Sequence, residues 1–388
     1  MKTLFQLQYE FGSPDAYTEQ GTNQGAKLLM DEVDDAEVRE ILADTRGLDT
    51  KEWLHWLRDN QERHPVMMVL PMTTLTPEST HYRFEGLHPH IVFIQRPLHT
   101  IEKLNEVLYA VNECIETGTY LVCHTMTARL KRTQTEQRYP WGVRTVVVGT
   151  QYLWHRVCPK LRFTRRIYFA ITKGKDRTFN RVEILGRLYR AGYEVLEEEF
   201  RYGEYFVTAR KAKEPVHDTE PTGSPIIHLL RRGKDGKPIV VHKFRTMYTY
   251  SEYIQPYMYR YQKLQKGGKF KDDYRVNFWG HLLRRVWLDE LPMVWNMLRG
   301  EMKLVGVRPL SEQYFSLYTP EMQRLRTRVK PGLLPPFYYD RHTPDTIEEI
   351  QASERRYLEA YMKAPHKTDW KYFWGIVANI LLHRKRSK

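Results

Sequence analysis

The sequence predicts an α/β protein of two domains, and three observations carry that reading. A strand, helix, strand succession is legible at 90–95 (HIVFIQ), 100–117 and 120–124, with Leu104, Val107, Leu108 and Val111 on one helical face. A proline-rich stretch at 212–225 (AKEPVHDTEPTGSP) interrupts two strand-like segments and sets the junction between domains 1–214 and 215–388. Charge divides at nearly the same place: residues 221–388 carry 31 Lys+Arg against 16 Asp+Glu, while the first 220 carry 30 against 31. A basic half serves nucleic acid, an anionic membrane or a phosphate-rich substrate, and composition alone does not choose among them.

In the first domain the segment 166–172, a helix around 181–191 and a strand pair at 193–197 and 205–209 continue the pattern, as a doubly wound, Rossmann-like sheet would. A nucleotide site on such a sheet wants a glycine-rich turn, because only glycine lets backbone amides approach phosphate closely. Gly12, Gly21 and Gly25 do not make GxGxxG, and Gly174-Lys175 lacks the upstream glycine and following Ser/Thr of a P-loop. The element order, followed by GRLYRAGYEVLEEE, resembles the second half of class I methyltransferases; the resemblance implies a degenerate remnant kept for structure or contact. No run approaches the roughly 18–20 apolar residues of a spanning helix, and the N-terminus has no apolar core of signal-peptide length, so a cytoplasmic or peripheral protein is expected. Cys114, Cys123 and Cys158 stand at no metal spacing and read as small apolar residues.

The chemistry is in the second domain. In GKDGKPIVVHKFRTM (233–247) a strand at 239–242 leads into Lys243 and Arg245, which alternation places on one face. Two such cations can grip a diphosphate, although a solvated edge strand explains them equally. Downstream, Leu282, Leu283 and Val286 have helical spacing with Arg284 and Arg285 between them, and this helix is expected to stop near 288. Asp289 would then cap a second helix with Pro292 in its first turn, ending at Gly300. A strand at 302–305 follows, and Gly306-Val307-Arg308-Pro309 presents an arginine. Capping alone accounts for two carboxylates at a helix start. Their setting between a Lys/Arg strand and a Gly-x-Arg turn also fits a divalent metal and a diphosphate, one carboxylate holding Mg²⁺ while the other attacks phosphorus. The metal is wanted because two anions about 4 Å apart repel by roughly 4 kcal/mol at an effective dielectric of about 20.

KFRTM, LDELP, LRGEMKLVGVRP and RVKPG, in that order, resemble the bacterial sugar transferase family, the monotopic phosphoglycosyl transferases, over residues 222–388. The resemblance implies a mixed α/β, helix-rich catalytic domain that moves a sugar 1-phosphate from a UDP-sugar donor to a polyprenyl (undecaprenyl) phosphate, releasing UMP and starting an exopolysaccharide, capsule or other surface glycan. It implies Asp289 as the nucleophile of an aspartyl-phosphosugar intermediate, Mg²⁺ held by Glu290 and Asp289, and Lys243, Arg245, Arg284 and Arg308 on the substrate. The chain departs from the family pattern in having polar KAKEPVHDTEPT where a re-entrant membrane helix is usual, Trp287 for Ser, Met293 for Gln, Val307 for Pro, and Leu334-Pro335-Pro336-Phe337 for Gly-Trp-Ala-Gln. Those departures leave a second reading open, a nucleotide-sugar-binding scaffold that works with other glycosyltransferases.

Residues 369–382 place Trp370, Phe373, Trp374, Val377, Ile380 and Leu381 on one helical face, ahead of a basic end at 383–388. The stripe suits a helix lying on the anionic cytoplasmic face of a membrane or one packed on its own core. Phe337, Tyr338 and Tyr339 invite the same two readings. No recognised nucleic-acid-binding module is present, so nucleic acid is not an expected partner.

Overall fold

The computed structural model of the protein describes residues 27–383 apart from 74, 160–161, 174–176, 202, 219–223, 262–272, 341, 343 and 345. Gly12, Gly21, Gly25, the Gly174-Lys175 pair, residues 219–223 of the junction and the basic tail 384–388 lie outside the described residues. The described chain forms two compact units, one within 12–223 and 248–262, the other within 224–247 and 263–388.

The first unit is built on a mixed sheet of β1 (Met67–Leu70), β2 (Ile91–Ile94), β3 (Tyr120–Thr125), β4 (Tyr193–Arg201) and β5 (Glu204–Lys211), ordered β1-β2-β3-β5-β4. The run β1-β2-β3 is parallel, and β5 is antiparallel to both β3 and β4. Parallel neighbours need crossovers, which the helices Pro77–Phe84 and Leu104–Cys114 provide. Every residue of β2 and β3 is buried, so β2 and the first four residues of β3 read as continuous apolar runs rather than as alternations, and β3 ends in buried His124 and Thr125. On one sheet face Ile91, Phe93, Tyr120 and Val122 share a core with Val38, Ile41, Trp53 and Leu57. The last four come from the helices Ala36–Thr45 and Thr50–Asn60, which start where Asp35 and Asp49 accept backbone N–H bonds, Asp49 within a capping box.

The helix expected over 100–117 is shorter, Leu104–Cys114, because residues 98–100 turn as a 3₁₀ helix and Lys103 offers no capping side chain. The segment 166–172 lies within the helix Arg162–Thr172. All ten residues of the helix Arg181–Arg190 are buried. Its charges are matched: Arg181 donates to Glu198 at 2.7 Å, Glu198 also accepts from Tyr205 and Tyr257, and Arg187 donates to Asn105.

In the second unit β6 (Ile226–Arg232) and β7 (Pro238–Phe244) form an antiparallel hairpin, turned through Asp235 and Gly236 at positive φ. A parallel pair joins β8 (Lys303–Val305) to β9 (Gly332–Leu334). Val241, Met293 and Met302 make a small core that fixes the helix Met293–Leu298 on the hairpin. A larger core gathers Val305 of β8, Val307 and Tyr318 from the connections that follow it, and Met322, Tyr357 and Ile376 from the helices Pro320–Thr327, Ile347–Lys363 and Pro365–His383.

The C-terminal helix divides its apolar stripe. Tyr372 and Ile376 are buried and Phe373 and Ile380 half-buried in this core, while Trp370 and Trp374 face outward; the side chain of Leu381 is outside the description. Gly375 is required there, since a Cβ would stand 2.3 Å from the ring of Tyr339. Phe337, Tyr338 and Tyr339 pack rather than form a free patch: all three are half-buried, and Tyr339 meets Tyr372 at 4.4 Å between ring centroids. Among the described residues no helix is long and apolar enough to cross a membrane.

Candidate functional site

The site grows from the end of β7. The helix Phe278–Arg285 starts at Asn277, whose side chain accepts from the amide of Gly280 at 2.7 Å. Gly280 lies against the chain just past β7, where a Cβ would come within 2.1 Å of the Thr246 carbonyl oxygen. The helix stops at Arg285, three residues earlier than expected, and Trp287 takes the left-handed conformation at φ +57°. That conformation is costly for a bulky residue and re-aims the chain.

The next residues, Leu288–Glu290, form a 3₁₀ turn. Asp289 is therefore not the N-cap anticipated from sequence. The following helix runs Met293–Leu298, with Pro292 at its N-cap position and no side-chain cap. The reason is the turn at Trp287, which ends one helix and interposes Leu288–Glu290 before the next. Asp289 is 8% exposed, and its Oδ1 has no hydrogen-bond partner. Such an orphaned carboxylate oxygen costs stability and calls for a functional explanation.

Glu290 is held by two cations from separate motifs. Lys243 Nζ lies 2.5 Å from Glu290 Oε1, and an Arg308 guanidinium nitrogen lies 3.6 Å from the same oxygen. The strand, the Leu288–Glu290 turn and the Gly-Val-Arg-Pro turn thus meet at one carboxylate. Arg284 Nε donates to Thr246 Oγ1 at 3.0 Å, and its charge favours ionisation of Asp289. Arg245 fastens the start of the unit instead: its Nε donates to the Ser224 carbonyl at 2.9 Å and its amide to that of Pro225 at 2.7 Å.

Burial pushes the Asp289 carboxyl above the ordinary range and neighbouring Glu290 pushes it further, while Lys243 and Arg284 pull it back. Burial also holds the Lys243 ammonium below its usual value, with Glu290 opposing that shift. The same desolvation lowers Arg284.

Among the described residues no group of three or more His, Cys, Asp or Glu converges as a metal cage. A Mg²⁺ site that borrows most of its ligands from phosphates and water needs only one or two carboxylates. The unpartnered Oδ1 of buried Asp289, next to Glu290, fits that donor set.

Several supporting residues left no motif in the sequence. Asn296, fully buried, donates to the Val240 carbonyl at 2.7 Å and accepts from the His242 amide at 3.2 Å, tying β7 to the helix after the carboxylates. A lone amide within MVWNML was the available signal. Arg326 donates to the Arg308 carbonyl at 2.5 Å and pairs with buried Glu354 at 2.9 Å, so it holds the turn that presents Arg308. Gly306 and Gly332 face each other so closely that a Cβ on Gly332 would stand 2.1 Å from the Gly306 amide nitrogen. Around the site the apolar side chains of Leu288, Leu291, Trp295 and Leu298 are exposed.

Residues 216–380 match the family model described as bacterial sugar transferase. The chain is 39% identical over 112 residues to "Uncharacterized sugar transferase EpsL" of Bacillus subtilis, covering 29% of this chain and 49% of that protein. It is 39% identical over 139 residues to "UDP-glucose:undecaprenyl-phosphate glucose-1-phosphate transferase" of Klebsiella pneumoniae, 34% of this chain and 27% of the relative. To the "UDP-galactose-lipid carrier transferase" of Erwinia amylovora it is 35% identical over 116 residues, 29% of this chain and 24% of the relative. The chain thus spans half or less of the length of these relatives. The matched span contains Lys243, Asp289, Glu290 and Arg308, and by that match residues 216–380 of this chain are similar to the bacterial sugar transferase family.

Proposed function

We propose that the protein transfers a sugar 1-phosphate from a UDP-sugar to a polyprenyl (undecaprenyl) phosphate at the cytoplasmic surface of a membrane, as the first step of an exopolysaccharide, capsule or related glycan. The observation that carries this reading is a buried carboxylate, Asp289, with an unpartnered Oδ1 beside a second carboxylate held between Lys243 and Arg308. The printed name of the Klebsiella relative supports the donor and acceptor classes. The exposed apolar rim at Leu288, Leu291, Trp295 and Leu298 suits a lipid-borne acceptor.

In the proposed mechanism Asp289 Oδ1 attacks the phosphorus that carries the sugar. A bond forms between that oxygen and phosphorus, the bond to the bridging oxygen breaks, and UMP leaves with the electron pair. An oxygen of the polyprenyl phosphate then attacks the same phosphorus and returns Asp289 as a free carboxylate. Mg²⁺, held by Asp289 and Glu290 with donor phosphates, would screen the diphosphate charge from the carboxylates. Lys243 and Arg284 would favour the ionised nucleophile, and Arg308, 3.6 Å from Glu290, would meet phosphate oxygens, a role its charge supports. Residues 1–214 we read as a methyltransferase-like, Rossmann-type remnant without methyl transfer, supported by the parallel run β1-β2-β3 and by the missing glycine-rich turn.

The test is UMP release from a panel of UDP-sugars with Mg²⁺ and undecaprenyl phosphate in nanodiscs. Release by the wild type and its loss in Asp289→Asn, which keeps the shape of the side chain, is the expected result. Equal turnover by Asp289→Asn would sink the covalent route. A folded wild type that binds donor yet releases no UMP would leave a nucleotide-sugar-binding scaffold.

A further inference from the structure

Between β3 and β4 the chain holds more apolar side chain than its core takes up. Ahead of the buried helix Arg181–Arg190, three helices occupy this stretch, Ala128–Arg138, Trp141–Tyr152 and Arg162–Thr172, with a π turn at Leu153–Val157. The middle helix, WGVRTVVVGTQY, has no buried residue. Trp141 is 70% exposed and Val146 66%, and Val143, Val146 and Leu153 recur on one helical face. In the third helix Phe163, Ile167 and Ile171, spaced four apart, are 93%, 60% and 65% exposed. Tyr168 turns the other way, buried, with its ring 5.5 Å from that of Trp154. The end of the middle segment and the third helix therefore pack on each other through these rings and leave apolar stripes outside. Single exposed apolar residues are ordinary, but stripes of this size mark an interaction surface.

Charge identifies what covers it. Residues 128–173 contain eleven Lys+Arg and one acid, Glu136, which pairs with Arg132 at 2.8 Å. The rest of the first 220 residues runs the other way, 19 bases against 30 acids. Arg165 and Arg166 are exposed beside the Phe163–Ile167–Ile171 stripe.

We propose that this helical segment docks the protein on an anionic lipid bilayer. Phe163, Ile167, Ile171, Val143 and Val146 enter the boundary between headgroups and acyl chains, and the arginines meet lipid phosphates. An apolar stripe flanked by bases is the interfacial pattern, with about 1 kcal/mol from each base near an anionic leaflet. A second copy of this chain would set two strongly positive faces against each other. A nucleic acid would answer the charge but not the Ile and Val side chains, which offer no stacking platform for bases. The partner is shared with the function proposed above, but neither Asp289 nor any turnover enters the inference, so each can fail without the other.

The test uses the full chain without donor or acceptor, sedimented with vesicles of phosphatidylcholine alone or mixed with phosphatidylglycerol. Binding to the mixed vesicles is expected to fall at least about tenfold in Phe163→Ser/Ile167→Ser/Ile171→Ser. Arg165→Glu/Arg166→Glu is expected to lose only the part that depends on phosphatidylglycerol. Hydrogen exchange on the wild type, which does not depend on any variant folding, should gain protection over 141–171 when mixed vesicles are added. Wild-type vesicle binding by both variants would overturn the proposal, as would a loss confined to Trp370→Ser/Trp374→Ser. Protection of 141–171 that follows protein concentration without vesicles would assign the face to a second copy. Binding to an RNA duplex with none to vesicles would assign it to nucleic acid.

Discussion

Asp289 is a carboxylate whose neighbours pull its acidity in opposite directions. In the proposed transfer Asp289 attacks only when ionised, so the acid limb of the pH profile for UMP release should lie above its ordinary value of 3.8. Lys243 lowers this pKa, and Lys243→Met should therefore move the limb to still higher pH besides slowing turnover. An acid limb that stays in place in Lys243→Met would mean that another group sets it. Glu354 offers a test of stability rather than activity. Burial pushes it from 4.5 up to about 7 although Arg326 lies at 2.9 Å. Because its folded-state pKa is raised, the folded protein holds the proton more tightly than the unfolded chain. The resulting stabilisation is fully present below pH 4.5 and is lost as pH rises through about 7. Chemical denaturation across that window should show a fall on the order of 2–3 kcal/mol, and Glu354→Gln should flatten it.

The elements around the site are held by close backbone approaches as much as by side chains. Gly280 lets the helix Phe278–Arg285 touch Thr246, whose hydroxyl positions Arg284. Gly280→Ala forces those two backbones apart and should cost about 2–3 kcal/mol in a denaturant titration, with a loss of turnover larger than the loss of folded protein. Turnover falling only in step with the folded fraction would show that Arg284 has no role beyond packing. Gly306 and Gly332 do the same for β8 and β9. A sequence pattern marks a glycine without naming the strand that comes close to it. The capping role expected of Asp289 failed for a related reason: the left-handed turn at Trp287 is set by packing near Tyr338, 5.4 Å away between ring centroids, and no local propensity predicts it for tryptophan.

Over the whole molecule the charge is segregated. Net +14 masks a C-terminal half at +15, an acidic background in the N-terminal half and a basic helical segment within it. If the basic surfaces meet an anionic bilayer, binding to phosphatidylglycerol-containing vesicles should weaken steeply as ionic strength is raised from about 0.05 M to about 0.5 M, where screening shortens to a few ångströms. Vesicle sedimentation at a series of salt concentrations checks this, and salt-independent binding would leave only the apolar contribution.

The order of residues alone makes the α/β class, the strand–helix–strand core at 90–124 and the four ordered motifs of the C-terminal region legible, because local periodicity and short-range chemistry write these into neighbouring residues. It also picked out Lys243, Asp289, Glu290 and Arg308. That Glu290 joins Lys243 to Arg308, that Arg245 turns to the Ser224 backbone, and that Asn296 and Arg326 hold the surrounding turns becomes visible only in the folded chain. Those contacts link residues tens of positions apart through burial and hydrogen bonding, and their energies exist only once the chain has closed around them. The exposed stripe at 163–171 belongs to the same class. Its apolar residues were visible along the chain, but their lack of a core partner is a property of the fold.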